Sequence, residues 1–326
     1  MPFMPSLLSR LAASVAALAA TSAIAAGYPD KPVRVIVPYV AGSPADMVAR
    51  KLGEGLAQQL GQSFIVENKA GANGMIGSEF VARAAPDGYT IMLGNMDTHA
   101  LNPLLYRHIR YEPARDFAPV AQVGTLTAML IARPDAPFQD ARGLIQAAAR
   151  APGKLTYGSW GLGSVAHLWG GLLEESGRIQ LMHVPYQGTP AAMNALMGSQ
   201  IDLLFGPPTL ALANAKNGRL KILGVTSATR QPQYPDVPTL AEQGFAGYDG
   251  TTWFGVFAPA KVPGDVLERL NQAINRTLDS PAMADTAATL AMTVTPGDRR
   301  QLERTMAASR EKWGRIIADK KIQLND

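Results

Sequence analysis

Between residues 33 and 225 the chain switches repeatedly between short β-branched runs and longer helical periodicities, and this alternation limits the possible folds more than any other feature. Val33-Arg34-Val35-Ile36-Val37 reads as a buried strand stopped by Pro38. Val48, Leu52, Leu56 and Leu60 then recur every fourth residue, with Gly61 where a left-handed C-cap belongs. Further strands are expected at Phe64–Val66, Tyr89–Leu93, Ala128–Ile131, Lys154–Tyr157, Gln180–Val184, Ile201–Phe205 and Lys221–Val225, with helices such as Asp140–Arg150, Val165–Glu175 and Pro190–Met197 among them. A strand, a helix and another strand in series predict an α/β architecture of parallel sheets with helices on both faces. Ligands of such sheets bind on the loops beyond the carboxyl ends of the strands. Pro263–Leu278 and Asp298–Lys320 break the rhythm as two long amphipathic helices. Leu302, Met306, Trp313 and Ile317 form an apolar face on the second, suited to packing back onto its own domain.

A chain of 326 residues has room for two such units. It has no cysteine, which excludes disulfides, thiol nucleophiles, iron–sulfur clusters and Cys-ligated zinc. Its formal charge of +4 is interspersed rather than gathered into a basic stripe with aromatics, so nucleic acid is not an expected partner. Residues 1–25 carry one charge, Arg10, then the apolar stretch Leu11–Ala20 and the small-x-small pattern Ala23-Ile24-Ala25. That order predicts a cleaved export signal and a soluble, periplasmic mature protein.

Two loops stand out chemically. In Tyr39-Val40-Ala41-Gly42-Ser43-Pro44-Ala45-Asp46, Ser43 suits an N-cap, Pro44 the first helical position and Asp46 a box of the S-x-x-D kind. A glycine turn leading into a capped helix offers N–H donors and a positive dipole end to an anion. Tyr157-Gly158-Ser159-Trp160-Gly161-Leu162-Gly163-Ser164-Val165-Ala166-His167 repeats the arrangement, with Ser164 as cap and Gly163 positioned for close backbone approach. Two such loops can grip one carboxylate from opposite sides.

Enzyme signatures are weaker. Gly161–Ala166 fits G-x-G-x-x-A, but no acidic residue follows the next strand to hold a ribose. Ser159 follows a glycine, yet Tyr157 stands where a nucleophile elbow needs glycine. His99, His108, His167 and His183 show no metal-ligand spacing, and His167 and His183 read as structural. Neither a cofactor nor a metal is expected. An exported esterase using Ser159 or Ser164 stays open as a rival.

The segments YPDKPVRVIVPYVAGSPADMVAR, VENKAGANGMIGSEFVARAAPDGYT, HVPYQGTPAAMNALMGSQIDLLF, YPDVPTLAEQGFAGY and WFGVFAPAKVP resemble the Bug-type extracytoplasmic solute receptors of tripartite tricarboxylate transporters. The resemblance implies a two-lobed periplasmic-binding-protein fold, a Venus flytrap of type II with two hinge crossings. It implies one lobe from 26–123 plus 252–326 and a second from 124–251. It also implies that the protein takes a small organic carboxylate into the inter-lobe cleft and delivers it to a membrane permease, and a freely diffusing monomer is the simplest expectation. A sensor of the same fold, reporting to a signalling protein, stays open as an alternative. Carried onto this chain, the expected site is Tyr39, Ala41, Gly42, Ser43, Asp46, Thr98, Ser159, Trp160, Gly161, Gly163, Ser164, His167 and Gly206.

Three departures from the family's pattern bear on the ligand. Ser43 stands where the family's first loop has a second glycine, which keeps the N–H and adds a hydroxyl. Trp160 and Leu162 replace small or polar residues, and Trp160 either faces the cleft or packs away from it. Gly206 follows Phe205 where the family often has aspartate, which removes a partner for a ligand ammonium. The expected ligand is therefore an aromatic or aliphatic carboxylate without an amino group.

Overall fold

The computed structural model describes residues 27–319, so the expected export signal at 1–25 lies outside the described residues. The chain begins β1 (Val33–Val37), α1 (Pro44–Leu60), β2 (Phe64–Asn68), α2 (Met75–Ala82), β3 (Thr90–Asn95) and β4 (Phe117–Thr127). It continues β5 (Met129–Ala132), α3 (Ala141–Arg150), β6 (Thr156–Ser159), α4 (Val165–Gly177), β7 (Met182–Pro185), α5 (Thr189–Met197), β8 (Leu203–Gly206), α6 (Pro208–Lys216) and β9 (Lys221–Val225). It closes with β10 (Thr251–Pro259), α7 (Gly264–Leu278), α8 (Pro281–Leu290), β11 (Met292–Val294) and α9 (Arg299–Asp319). A six-stranded sheet has the order β11-β4-β10-β3-β1-β2, and a five-stranded sheet the order β7-β6-β8-β5-β9.

The expected parallel sheets are in fact mixed. β1 pairs parallel with β2 and β3, and β6 pairs parallel with β7 and β8. β10, however, runs antiparallel to β3, β4 alike, and β5 antiparallel to β8 and β9. Parallel neighbours need a crossover helix. β5 follows β4 with only Ala128 between them, and β10 returns from the second sheet through a long irregular segment. Neither enters its sheet by way of a helix, so neither is held to the parallel direction. The strands β4, β10 and β11 were not foreseen. The expected changeover at 123/124 falls inside β4, and the sheets change at Ala128.

Three apolar clusters follow from the side-chain alternation of the strands. Val33, Val35 and Val37 pack with Leu52 and Leu56 of α1 and Leu267, Leu270 and Ile274 of α7. Ile36 points to the other face and joins a cluster that spans both sheets, with Leu130, Phe205, Trp169, Leu302 and Trp313. Ile131 and Leu204 bury the remaining face under Ala192 and Leu196 of α5.

The outgoing and returning chains are bonded where they cross. The Thr226 hydroxyl accepts from the Ala128 N–H at 2.9 Å, and the Thr226 N–H donates to the Ala128 carbonyl at 2.9 Å. Gly250 N–H donates to the Thr226 carbonyl at 2.7 Å. Helix α9 backs the crossing: Trp253 Nε1 donates to Ser309 Oγ at 2.9 Å and Lys312 Nζ meets Asp249 Oδ2 at 2.9 Å. Leu302 lies so close over Gly255 that a Cβ there would sit 2.7 Å from its methyl. Leu302→Ala should therefore destabilise the fold by about 2–5 kcal/mol in urea unfolding, with little structural relaxation. A loss below about 1 kcal/mol would show that α9 is not part of the core.

Candidate functional site

A cavity of about 500 Å³ opens among the loops that follow β1, β2, β3, β6, β7 and β8, with Leu126–Ala128, Thr252, Phe254 and Leu290 also on its wall. This is the position where open α/β sheets bind ligands. Its lining includes Tyr39, Tyr106, Trp160, Trp169, Phe205 and Phe254, and no Asp, Glu, Lys, Arg or His is among the described lining residues. The Thr252 hydroxyl, on the wall, is buried and has no protein partner.

The loop after β1 is built around Asp46. Ser43 caps α1 by accepting from the Asp46 N–H at 3.3 Å. The Asp46 carboxylate accepts from the Gly42 N–H at 3.0 Å, Arg50 Nε at 3.0 Å and Asn68 Nδ2 at 2.9 Å. It thus reaches one residue beyond the cap itself, since the Ser43 N–H donates to the Val40 carbonyl. Burial alone would raise its pKa, but these donors more than offset that and hold it below the ordinary value. Tyr39 and Ser43 line the cavity, whereas Ala41 and Gly42 form an exposed turn and Asp46 braces the loop from beneath.

The loop after β6 divides in the same way. Trp160 and Gly161 line the cavity, and so does Gly206 after β8. Trp160 therefore faces the cleft, with its edge against Trp169 at 5.7 Å between centroids. Ser159, Gly163, Ser164 and His167 do not line it. Ser159 is fully buried, and its hydroxyl meets His183 Nε2 at 2.7 Å and donates to the Gly161 carbonyl at 2.9 Å. Ser164 caps α4 by accepting from the His167 N–H at 3.4 Å and donates to the Gly161 carbonyl at 2.7 Å. Gly163, at φ +74°, sends its N–H to His167 Nδ1 at 3.2 Å, so its role is in shaping the turn rather than in admitting a ligand. Thr98 is likewise buried away from the cavity, bonded to Asn95 and His99.

Asp97 was not among the expected residues. It opens a π-helical turn, Asp97–Leu101, directly after β3. It is fully buried, and it joins the two sheets' loops. Its Oδ1 accepts from the Val165 N–H at 2.9 Å, the first donor of α4. Its Oδ2 takes longer contacts from the Tyr39 hydroxyl at 3.3 Å and Trp160 Nε1 at 3.4 Å. Burial pushes its pKa up to about 6, with these donors opposing. The loop Ala70–Gly74 was missed too: Gly71, Ala72, Asn73 and Gly74 all have positive φ, and all line the cavity. Two glycines and an asparagine within four residues are a turn signal that could have marked it.

The model of the family described as the tripartite tricarboxylate transporter family receptor matches residues 48–322. The chain belongs to that family. The solved periplasmic binding protein BugD is 33% identical, with a TM-score of 0.83, over 91% of this chain and 100% of that one. A protein of Rhodopseudomonas palustris solved with adipate is 30% identical at a TM-score of 0.86, covering 91% of this chain and 100% of its own. MatC of Rhodopseudomonas palustris, solved with bound malate, is 30% identical at a TM-score of 0.82, covering 89% and 100%. This tripartite-transporter receptor therefore has the two-lobed periplasmic binding protein fold, and its family consists of binding proteins, not enzymes. The contact between Ser159 and His183 accordingly belongs to a buried packing unit: His167 and His183 stack at 3.9 Å.

Two outcomes follow for the receptor. Asp46→Ala leaves the Gly42 N–H, Asn68 and Arg50 without their shared acceptor and should cost about 1–3 kcal/mol in urea unfolding; unchanged stability would remove Asp46 as the brace. Burial lowers His99 to about 3, His167 to about 4 and His183 to about 3, the last aided by the charge of His167. The unfolded chain protonates these rings near 6.5, so unfolding takes up protons between about pH 4 and 6.5 and stability falls on acidification. Asp97 acts oppositely, because its folded pKa of about 6 exceeds 3.8 and its contribution falls as pH rises. Three rings outweigh one carboxyl, so Tm should rise from pH 4 to 6.5 and His183→Gln should flatten that rise. A Tm that falls with pH would contradict the neutral histidine stack.

Proposed function

We propose that this receptor captures a small organic carboxylate without an amino group and delivers it to a tripartite tricarboxylate-type permease. One observation carries the reading: the cleft between the sheets has neutral donors and aromatic walls but no acidic lining residue among those described. A carboxylate can be held by hydroxyl and backbone donors in a site closed to water. An ammonium meets no acidic side chain on that wall, because Asp97 is fully buried behind Tyr39 and Trp160, and it would lose its hydration for little return. The Ser43 hydroxyl beside the N-terminus of α1 and the partnerless Thr252 hydroxyl supply such donors. The relatives solved with adipate and malate support the ligand class.

The proposed lobes are divided at Ala128 and again where the chain rejoins the first sheet near Thr251. Ligand contacts from both lobes then favour the closed form, which is the form the permease would receive. The chain acts as a monomer, after removal of residues 1–25 as an export signal.

The mature protein, melted against a panel of carboxylates, matched amino acids and neutral analogues, should respond to some of the carboxylates. At about 1,000 times its Kd a ligand adds about 4 kcal/mol of stability, an easily measured rise in Tm. Stabilisation by glutamate or aspartate, with none by their amino-free analogues, would overturn the reading.

A further inference from the structure

We infer that residues 97–106 of the first lobe form a clasp, in which Asp97 and Tyr106 grip the loop between β6 and α4 and hold the receptor closed before any ligand arrives. The inference rests on the proposed division into lobes, and its test needs no ligand.

Both ends of this segment reach the same loop of the second sheet. At its start, Asp97 Oδ1 accepts from the Val165 N–H at 2.9 Å, and Trp160 Nε1 approaches Oδ2 at 3.4 Å. At its end, the Tyr106 hydroxyl donates to the Leu162 carbonyl at 3.0 Å. Trp160, Leu162 and Val165 are therefore all bonded to the segment that follows β3. The first tie is a charge-assisted bond at the N-terminus of a 13-residue helix, where the helix dipole adds to it. It is sealed from water, because Asp97 and Val165 are both buried. The second lies at the surface, beside the exposed Leu162 side chain.

Neither side of the clasp is free to follow the other. In the first lobe, Leu101 and Leu105 are buried in the cluster that contains Leu302 and Trp313 of α9. The Tyr111 hydroxyl donates to the Thr98 carbonyl at 2.8 Å, and Asn102 Nδ2 to the Asn73 carbonyl at 3.0 Å. In the second lobe, the Ser164 N–H and hydroxyl both donate to the Gly161 carbonyl, at 3.2 and 2.7 Å, and the Gly163 N–H donates to His167 Nδ1. A rotation that parts the lobes must break both ties, so closed and open are discrete states. Asp97 and Tyr106 are thus positioning residues for capture. A ligand that needs the closed form binds with its intrinsic Kd divided by the closed fraction, and a clasp that keeps this fraction high spares the ligand that cost.

The test is the distance across the cleft in the unliganded mature protein, read by pulsed electron paramagnetic resonance. The chain has no cysteine, so Gln58→Cys on α1 and Asn194→Cys on α5 carry the only two spin labels. Both positions are exposed. The loops leading into their helices meet across the cleft, where a Cβ at Gly188 would lie 3.7 Å from a Val40 methyl. With the clasp intact, one distance should dominate. Asp97→Ala should populate a second, longer distance and lower the closed-to-open ratio by at least about tenfold. Asp97→Asn, which keeps an acceptor and loses the charge, should fall between the two. Adding Tyr106→Phe to it should lower the ratio by about threefold more. A dominant long distance with the clasp intact would overturn the inference, and so would the same distribution in every variant. Should Asp97→Ala fail to fold, Asp97→Asn with Tyr106→Phe decides in the same way. Failure of every carboxylate to bind would overturn the proposed ligand and leave this result standing.

Discussion

The two sheets are joined by a single-residue step, Ala128, and by a returning chain bonded to it through Thr226. Much of the architecture follows from that short join. A strand that leaves one sheet and begins the next within one residue cannot use a helix to reverse, so it enters the second sheet antiparallel to its neighbours. The returning strand, β10, must lie beside the outgoing β4, and it carries Thr252 and Phe254 to the cleft. Anchoring these strands with α9 on one side leaves their other ends to form the cleft between the sheets. The cavity floor and the crossings between the two sheets therefore share Leu126–Ala128 and Thr252.

Asp97 shows how far such a cleft departs from what stability alone would choose. Its ionised form is disfavoured by burial, and that cost is opposed by the Val165 N–H and by the side chains of Trp160, Tyr39 and Asn95. An apolar residue would avoid that cost. It would also leave the first N–H of α4 and the Trp160 indole N–H without this acceptor, while the Tyr39 hydroxyl keeps Asn95 Oδ1 at 2.9 Å. The carboxylate ties three groups from two loops with one side chain, which a nonpolar residue cannot do.

Much of the fold was legible because its helices announce themselves locally. The leucine spacing of α1 and its Gly61 cap, in the left-handed region at φ +74°, are properties of one segment. β4 and β10 were illegible for the opposite reason. Phe117–Thr127 and Thr251–Pro259 contain Pro119, Gly124 and Gly255, which read as interruptions in an isolated strand. In the sheet they sit in a pairing with register shifts at Phe254/Gly255 and Val256/Phe257, and Gly255 gives Leu302 its close approach. Only the tertiary partner gives those residues their meaning.

The site was legible to the level of its loops and not to the level of its atoms. A capped helix after a glycine turn identifies an N-terminus able to take an anion, and both expected loops have that form. What the motif cannot reveal is whether the donors are open, because the acceptors come from elsewhere in the chain. Val165 is answered by Asp97, 68 positions earlier, from a turn with no anion-site motif of its own. Tyr39, Ser43, Trp160, Gly161 and Gly206 reach the cavity, while Asp46, Ser159, Ser164 and His167 form the layer that holds the loops in shape. Two chains can therefore share the same pair of loop motifs and leave different N–H groups open, because the acceptors that claim those groups come from elsewhere in the chain.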